Sequence, residues 1–127
     1  MIRSAHFVAI LALAVAATPV LAGDGTAIPH AFIGVWGAAS APCADVDATD
    51  RVTISSDSLR YYEMTDTVTH VDIRDARHIV VDVEATDDGD DKGEMTRRDL
   101  RLSRDGNGLT LSGFPNNDVS KLARCRG

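Results

Sequence analysis

Basic residues are in short supply: 13 Lys+Arg stand against 19 Asp+Glu, giving a formal net charge of −6. That balance argues against a general affinity for nucleic acid or anionic lipid, whose phosphates call for the opposite sign. Cysteine is scarcer still, with Cys43 and Cys125 the only two. Neither has a Cys or His neighbour at ligand spacing, so a cysteine-held metal is not expected. An apolar run able to cross a bilayer is also lacking. The longest, residues 7–17, falls well short of the roughly 20 residues that a spanning helix needs. No glycine-framed serine marks a nucleophile, and no segment past the first 22 residues carries a helical pattern.

What is present begins with a leader. Arg3 precedes the apolar run, Thr18-Pro19 breaks it, and Val20-Leu21-Ala22 ends on the small residue a signal peptidase needs. Residues 1–22 are therefore expected to be a signal peptide and the product to be periplasmic or secreted. Leu21-Ala22-Gly23-Asp24 resembles a bacterial lipoprotein box with Asp24 in place of the lipidated cysteine, so no membrane anchor is expected. Loss of Arg3 with the leader leaves the mature chain more acidic. Residues 23–30, with two glycines and a proline, read as a flexible lead-in, and 31–127 as one domain. In an exported domain the two cysteines are expected to form one bridge, Cys43–Cys125, contributing ~4 kcal/mol by restricting the unfolded chain. Two separate thiols are the alternative.

The body of the chain alternates with period two. Phe32, Gly34 and Trp36 share a face of an opening strand, and Ala38 to Asp50 reads as a long connection. Asp45, Asp47 and Asp50 in it lack the Gly and bidentate Glu of a calcium loop. Residues opposite each other in a hairpin must share a face, which fixes the registers. A turn at Ser56-Asp57 sets Ile54 against Leu59 and Val52 against Tyr61. A loop of Asp75-Ala76-Arg77 sets Ile73 against Ile79 and Val71 against Val81, and leaves His70 opposite Asp82 on the outer face. After the acidic stretch 87–93, Leu100 and Leu102 point inward between Arg97, Asp99 and Arg101, and Leu102 faces Leu109. Val119 to Cys125 is the last strand. The pattern predicts an all-β fold of about eight short strands in a barrel or a sandwich, of which an up-and-down meander closed into a barrel is expected, since closure removes the exposed edges.

Phe32-x-Gly34-x-Trp36 resembles the opening motif of lipocalins and the wider calycin group of barrels. Arg124, beside Cys125, matches the arginine that such barrels carry on the last strand. The resemblance implies that Gly34 permits close chain approach, and that Trp36 lies in the barrel floor with Arg124 stacked on its indole. The chain is shorter than a typical lipocalin and lacks its C-terminal helix. Its layout is similar to that of small exported bacterial barrels, several of which inhibit lysozymes or secreted proteases. The serine-glycine and tyrosine loop of the lysozyme inhibitors has no counterpart here.

Candidate chemistry is sparse. His70 and Asp82 read as an exposed cross-strand pair worth ~0.2–1 kcal/mol, not as part of a catalytic set. Asp87, Asp88, Asp90 and Asp91 crowd one loop, but in an order unsuited to a preformed calcium site. That loop, and the one bearing Phe114, Asn116 and Asn117, are the expected partner-binding elements. The expectation is an exported, monomeric, non-catalytic binding module without cofactor or metal, directed at an envelope or extracellular protein such as a hydrolase it inhibits. The alternative is a carrier of a small apolar ligand, which an internal void of about 300 Å³ or more favours.

Overall fold

Aliphatic and β-branched residues at every second position can bury one face only as strands. The computed structural model describes residues 22–38, Cys43 and 51–125, and is built almost wholly of them. The expected leader, apart from Ala22, and Asp45, Asp47 and Asp50 lie outside the described residues. The strands are β1 (Gly23–Gly25), β2 (Gly34–Gly37), β3 (Val52–Ile54), β4 (Ser58–Tyr61), β5 (Met64–Asp75), β6 (His78–Asp87), β7 (Glu94–Leu102), β8 (Gly108–Ser112) and β9 (Ser120–Arg124). From β2 to β9 each pairs antiparallel with the next, and β9 returns to β2, so eight strands close an up-and-down barrel. Among the described residues no helix is long and apolar enough to cross a membrane.

The registers read from parity hold at Ile54↔Leu59, Val71↔Val81, Ile73↔Ile79, His70↔Asp82 and Leu102↔Leu109. The β5–β6 hairpin reaches its register by another route. Asp75 pairs with His78 across a tight turn, and Arg74 bulges out of β5, so the parity is the same as for a longer loop. Asp75 Oδ1 accepts a bond from Arg77 N at 2.8 Å, which fixes that turn. A second bulge on β5 lies between Val68 and His70. It reverses the strand's parity: Asp66 and Val68 point inward on one side of it, Val71 and Ile73 on the other.

Two segments near the N-terminus depart from expectation. Residues 23–30 do not form a loose lead-in. Gly23–Gly25 pair with Ile73, Asp72 and Val71 along β5, beyond the end of β4, and Ile28 is buried with its N–H on Ser56 O at 2.8 Å. Glycines that read as mobile from composition can also lie flat on an open strand edge. Phe32 belongs to a 3-10 turn, His30–Phe32, and not to the opening strand, which starts at Gly34. Its buried ring fills the floor of the barrel from below.

That floor is where the ends of the barrel meet. Trp36 is fully buried, pairs with Arg124 across the β2–β9 seam, and donates from Nε1 to Phe32 O at 3.0 Å. The Arg124 guanidinium lies 4.3 Å from the indole centroid. It also reaches Ile33 O (2.9 Å), Ala31 O (2.7 Å) and Gly106 O (3.2 Å). Gly34 has φ 143°, and a Cβ there would sit 3.0 Å from an Arg124 nitrogen, so glycine is what the close approach requires. Cys43 and Cys125 form a disulfide beside Gly37, with Cα atoms 5.5 Å apart, and Cys125 N donates to Val35 O at 2.8 Å.

Stability, fluorescence and mass measurements check this floor. Arg124→Ala removes a cation–π contact and the donors to three carbonyls, and is expected to cost about 2–3 kcal/mol and shift the Trp36 emission. Arg124→Lys, which cannot reach all three carbonyls, is expected to recover only a minor part in thermal melts. Because the bridge spans 82 residues, reduction is expected to destabilise the protein by ~4 kcal/mol in denaturant titrations. Intact mass after alkylation of unreduced protein is expected to show no added label.

Candidate functional site

At the end of the barrel opposite the floor, the aliphatic filling gives way to an ion pair. Asp66 on β5 and Arg98 on β7 both point inward, at 0% and 3% exposure. Arg98 grips Asp66 with two bonds, Nε to Oδ2 at 2.8 Å and a terminal nitrogen to Oδ1 at 3.2 Å. Its other terminal nitrogen donates to Gly113 O at 2.8 Å. The Tyr61 hydroxyl donates to Asp66 Oδ2 at 2.7 Å. Phe114 closes the group, its ring 4.2 Å from the guanidinium carbon and edge-on to Tyr61 at 5.7 Å.

The electrostatics follow from burial and from the pair. Burial foremost, then the neighbouring Asp66 carboxylate, push the Tyr61 hydroxyl far above the ordinary phenol range, so it stays a neutral donor. Burial works against the Arg98 charge, but the hydrogen bonds and charge of Asp66 outweigh it and raise its pKa. Gly113, with φ 104°, lets the chain pass against the backbone of Arg97 and Arg98, where a Cβ would collide with Arg97 O.

Above this group the two loops expected to bind a partner come together. They border one solvent-open cleft of about 600 Å³. Its floor is Arg98, with inward-facing Met64, Ala85 and Thr96 around it. One wall carries Asp87, Asp90, Lys92, Gly93 and Glu94, the other Gly113, Phe114 and Pro115. The acidic loop is shaped by Asp90 N on Asp87 O (3.0 Å), Asp88 N on Glu63 O (2.9 Å) and Gly93 N on Glu84 Oε1 (3.2 Å). Asp88 borders a neighbouring groove with Tyr62 and Glu63, and Asp91 is exposed outside the cleft wall. Asn116 and Asn117 take left-handed conformations (φ 68° and 57°) that turn the chain, and they face solvent away from the cleft.

The other candidate residues lie elsewhere. His70 sits on the outer wall, with Nδ1 3.7 Å from Asp82 and Nε2 3.5 Å from Asp24. Asp82 is bound more closely by Arg97 Nε, at 2.8 Å. Among the described residues no three His, Cys, Asp or Glu side chains group as metal ligands would.

Asp66 and Arg98 are the site residues that sequence reasoning missed. Arg98 was within reach, since it shares parity with Leu100 and Leu102 on β7. Asp66 was not, because the bulge between Val68 and His70 reverses the phase that Val71 and Ile73 set.

Arg98→Ala or Asp66→Ala strands a buried charge and is expected to cost about 3–5 kcal/mol in denaturant unfolding. The triple change Tyr61→Phe, Asp66→Leu, Arg98→Met removes the three polar side chains together, leaving only Gly113 O without its donor, and is expected to recover most of that loss. No family model matches the chain, and no curated protein or solved structure matches it.

Proposed function

We propose that this chain is an exported, non-catalytic binding module of the lipocalin-like type, which holds a protein partner at the mouth of its barrel. One observation carries the reading. Loops distant in sequence, 87–93 and 113–115, converge on one cleft while the lumen beneath is filled by buried side chains. A rigid barrel that presents loops at one end is a recognition scaffold. The floor supports the likeness to lipocalin-type barrels, through Gly34, Trp36 and Arg124 in contact. The disulfide supports export to a periplasmic or extracellular setting.

The cleft also suggests the partner's chemistry. Asp87, Asp90 and Glu94 border it against the single Lys92, while Arg98 is compensated by Asp66. A basic segment is the matching shape and charge, and a basic hydrolase restrained by such contact fits the overall charge of −6. The second reading, a small-ligand carrier, draws on the cleft volume, which falls within the ~300–1,000 Å³ range of small-molecule pockets.

The test pairs capture with inhibition. The exported protein is used as bait in an envelope extract, and recovered hydrolases are assayed with and without it. Inhibition is expected, weakening with salt and falling at least tenfold with Asp87→Lys plus Asp90→Lys. Recovery of a retained small molecule by native mass spectrometry, without any inhibited enzyme, would replace this reading with the carrier.

A further inference from the structure

Four places in the chain set Asp or Asn before Gly: Asp24-Gly25, Asp88-Gly89, Asp105-Gly106 and Asn107-Gly108. Such pairs are chemically labile, because a glycine without Cβ lets its nitrogen swing onto the preceding side-chain carbonyl carbon. The fold treats the four differently. Asp24 and Gly25 lie in the β1 ladder against Asp72 and Val71, which opposes the rotation about Cα–C that ring closure needs. Gly106 N donates to Ser103 O at 3.0 Å, and Asp105 Oδ1 accepts from Ser103 Oγ (2.6 Å) and Asn107 N (3.0 Å). Those bonds, that of Ser103 foremost, hold the Asp105 carboxyl below its ordinary range, as the less electrophilic carboxylate. Gly108 N donates to Ser103 Oγ at 2.8 Å, Gly108 pairs with Ala123, and Asn107 O accepts from Arg124 N at 2.8 Å. Asp88-Gly89 is the exception. Both of its residues are exposed, which holds for no other of the four pairs. Asp88 N and Asp90 N are spent on Glu63 O and Asp87 O, while Gly89 N has no backbone acceptor among the described residues. Gly89 sits at φ 91°, with open space where a side chain would begin.

We infer that Asp88 is a site of spontaneous isomerisation, where the chain passes from its α- to its β-carboxyl group and the acidic wall of the cleft is reshaped. Gly89 N bonds to Asp88 Cγ, and one water leaves, its hydroxyl from the carboxyl group and its proton from the amide. A water then opens the resulting succinimide ring. Breaking the new bond restores aspartate; breaking the old peptide bond leaves isoaspartate, with the α-carboxyl free. Nothing is oxidised or reduced, and both mass and charge are conserved. The main chain becomes one carbon longer inside the turn that Asp90 N closes on Asp87 O, so that bond cannot keep its geometry. Asp87 and Asp90 both border the cleft. The other three pairs must open locally before they can cyclise, and each is slowed by its opening equilibrium. The inference goes beyond the partner-binding reading and does not depend on it, since cyclisation requires only this loop.

The experiment keeps the exported protein for weeks at physiological temperature in water enriched in the heavy oxygen isotope. Digestion and electron-transfer dissociation then locate the label and tell isoaspartate from aspartate. Both are expected at Asp88, at least about tenfold ahead of Asp24, Asp105 and Asn107. In guanidinium chloride with the disulfide reduced the order is expected to change, with Asn107 leading, because Asn-Gly cyclises faster than Asp-Gly in a free chain. Asp88→Glu, which would have to close a six-membered ring, is expected to leave that position unlabelled. The isomerised protein is expected to retain its melting temperature and Trp36 emission while the Asp90 amide exchanges faster with solvent. Another of the four sites leading in the folded protein, equal rates at all of them, or no label at Asp88 would each overturn the inference. Unchanged exchange at Asp90 in the isomerised protein would overturn the reshaping of the wall.

Discussion

Closure of the barrel is the constraint on which everything else rests, and it comes down to the seam between β2 and β9. Among the described residues only Trp36↔Arg124 and Gly37↔Ala123 pair there. A seam so short would be weak if backbone bonds alone held it. Three further interactions converge on the same place: the indole packed under a guanidinium, that guanidinium bonded to carbonyls just before β2 and in the β7–β8 turn, and the Cys43–Cys125 bridge beside Gly37. Opening the seam would expose two strand edges together and wet the largest buried side chain of the core.

With closure secured at one end, the other end is free to be polar. The lumen changes character along its axis, from Phe32 and Trp36 at the floor, through the aliphatic layers, to Asp66 and Arg98 below the mouth. A buried ion pair is a poor source of stability compared with an apolar filling of equal volume. What it does here is geometric. Arg98 binds β5 through Asp66 and the β8–β9 connection through Gly113 O, and it supports the Phe114 ring. One side chain thus sets the position of a cleft wall relative to the barrel. The cleft has a shape because its floor is bonded to its sides.

Much of the fold was legible because period-two patterning admits few solutions. Once Ile54 faces Leu59 and Leu102 faces Leu109, the remaining faces follow, and the core list read from parity is buried almost entirely, with Tyr61 and Ile73 packed at its edge. The failures have physical causes. Glycine-rich composition says nothing about whether an open strand edge is near, so β1 was invisible. Bulges leave no mark in the sequence, and one residue inserted in β5 hid Asp66 from a parity argument. The loops 87–93 and 113–117 could be picked out by their turn residues, but nothing in the sequence told that 87–93 and Phe114 share a cleft. That follows only from strand order.

The disulfide has a topological consequence for the loops at the mouth. The bridge makes one covalent ring of everything from Cys43 to Cys125, and both mouth loops lie within it. A protease that cuts once at the 87–93 loop or beside Phe114 therefore turns a ring into an open strand and not one molecule into two. The pieces stay joined, and the strand pairs on either side of the cut still hold their registers. The mouth loops can thus be nicked without the barrel being dismantled, and a nicked copy would keep its mass, apart from one added water, until it is reduced.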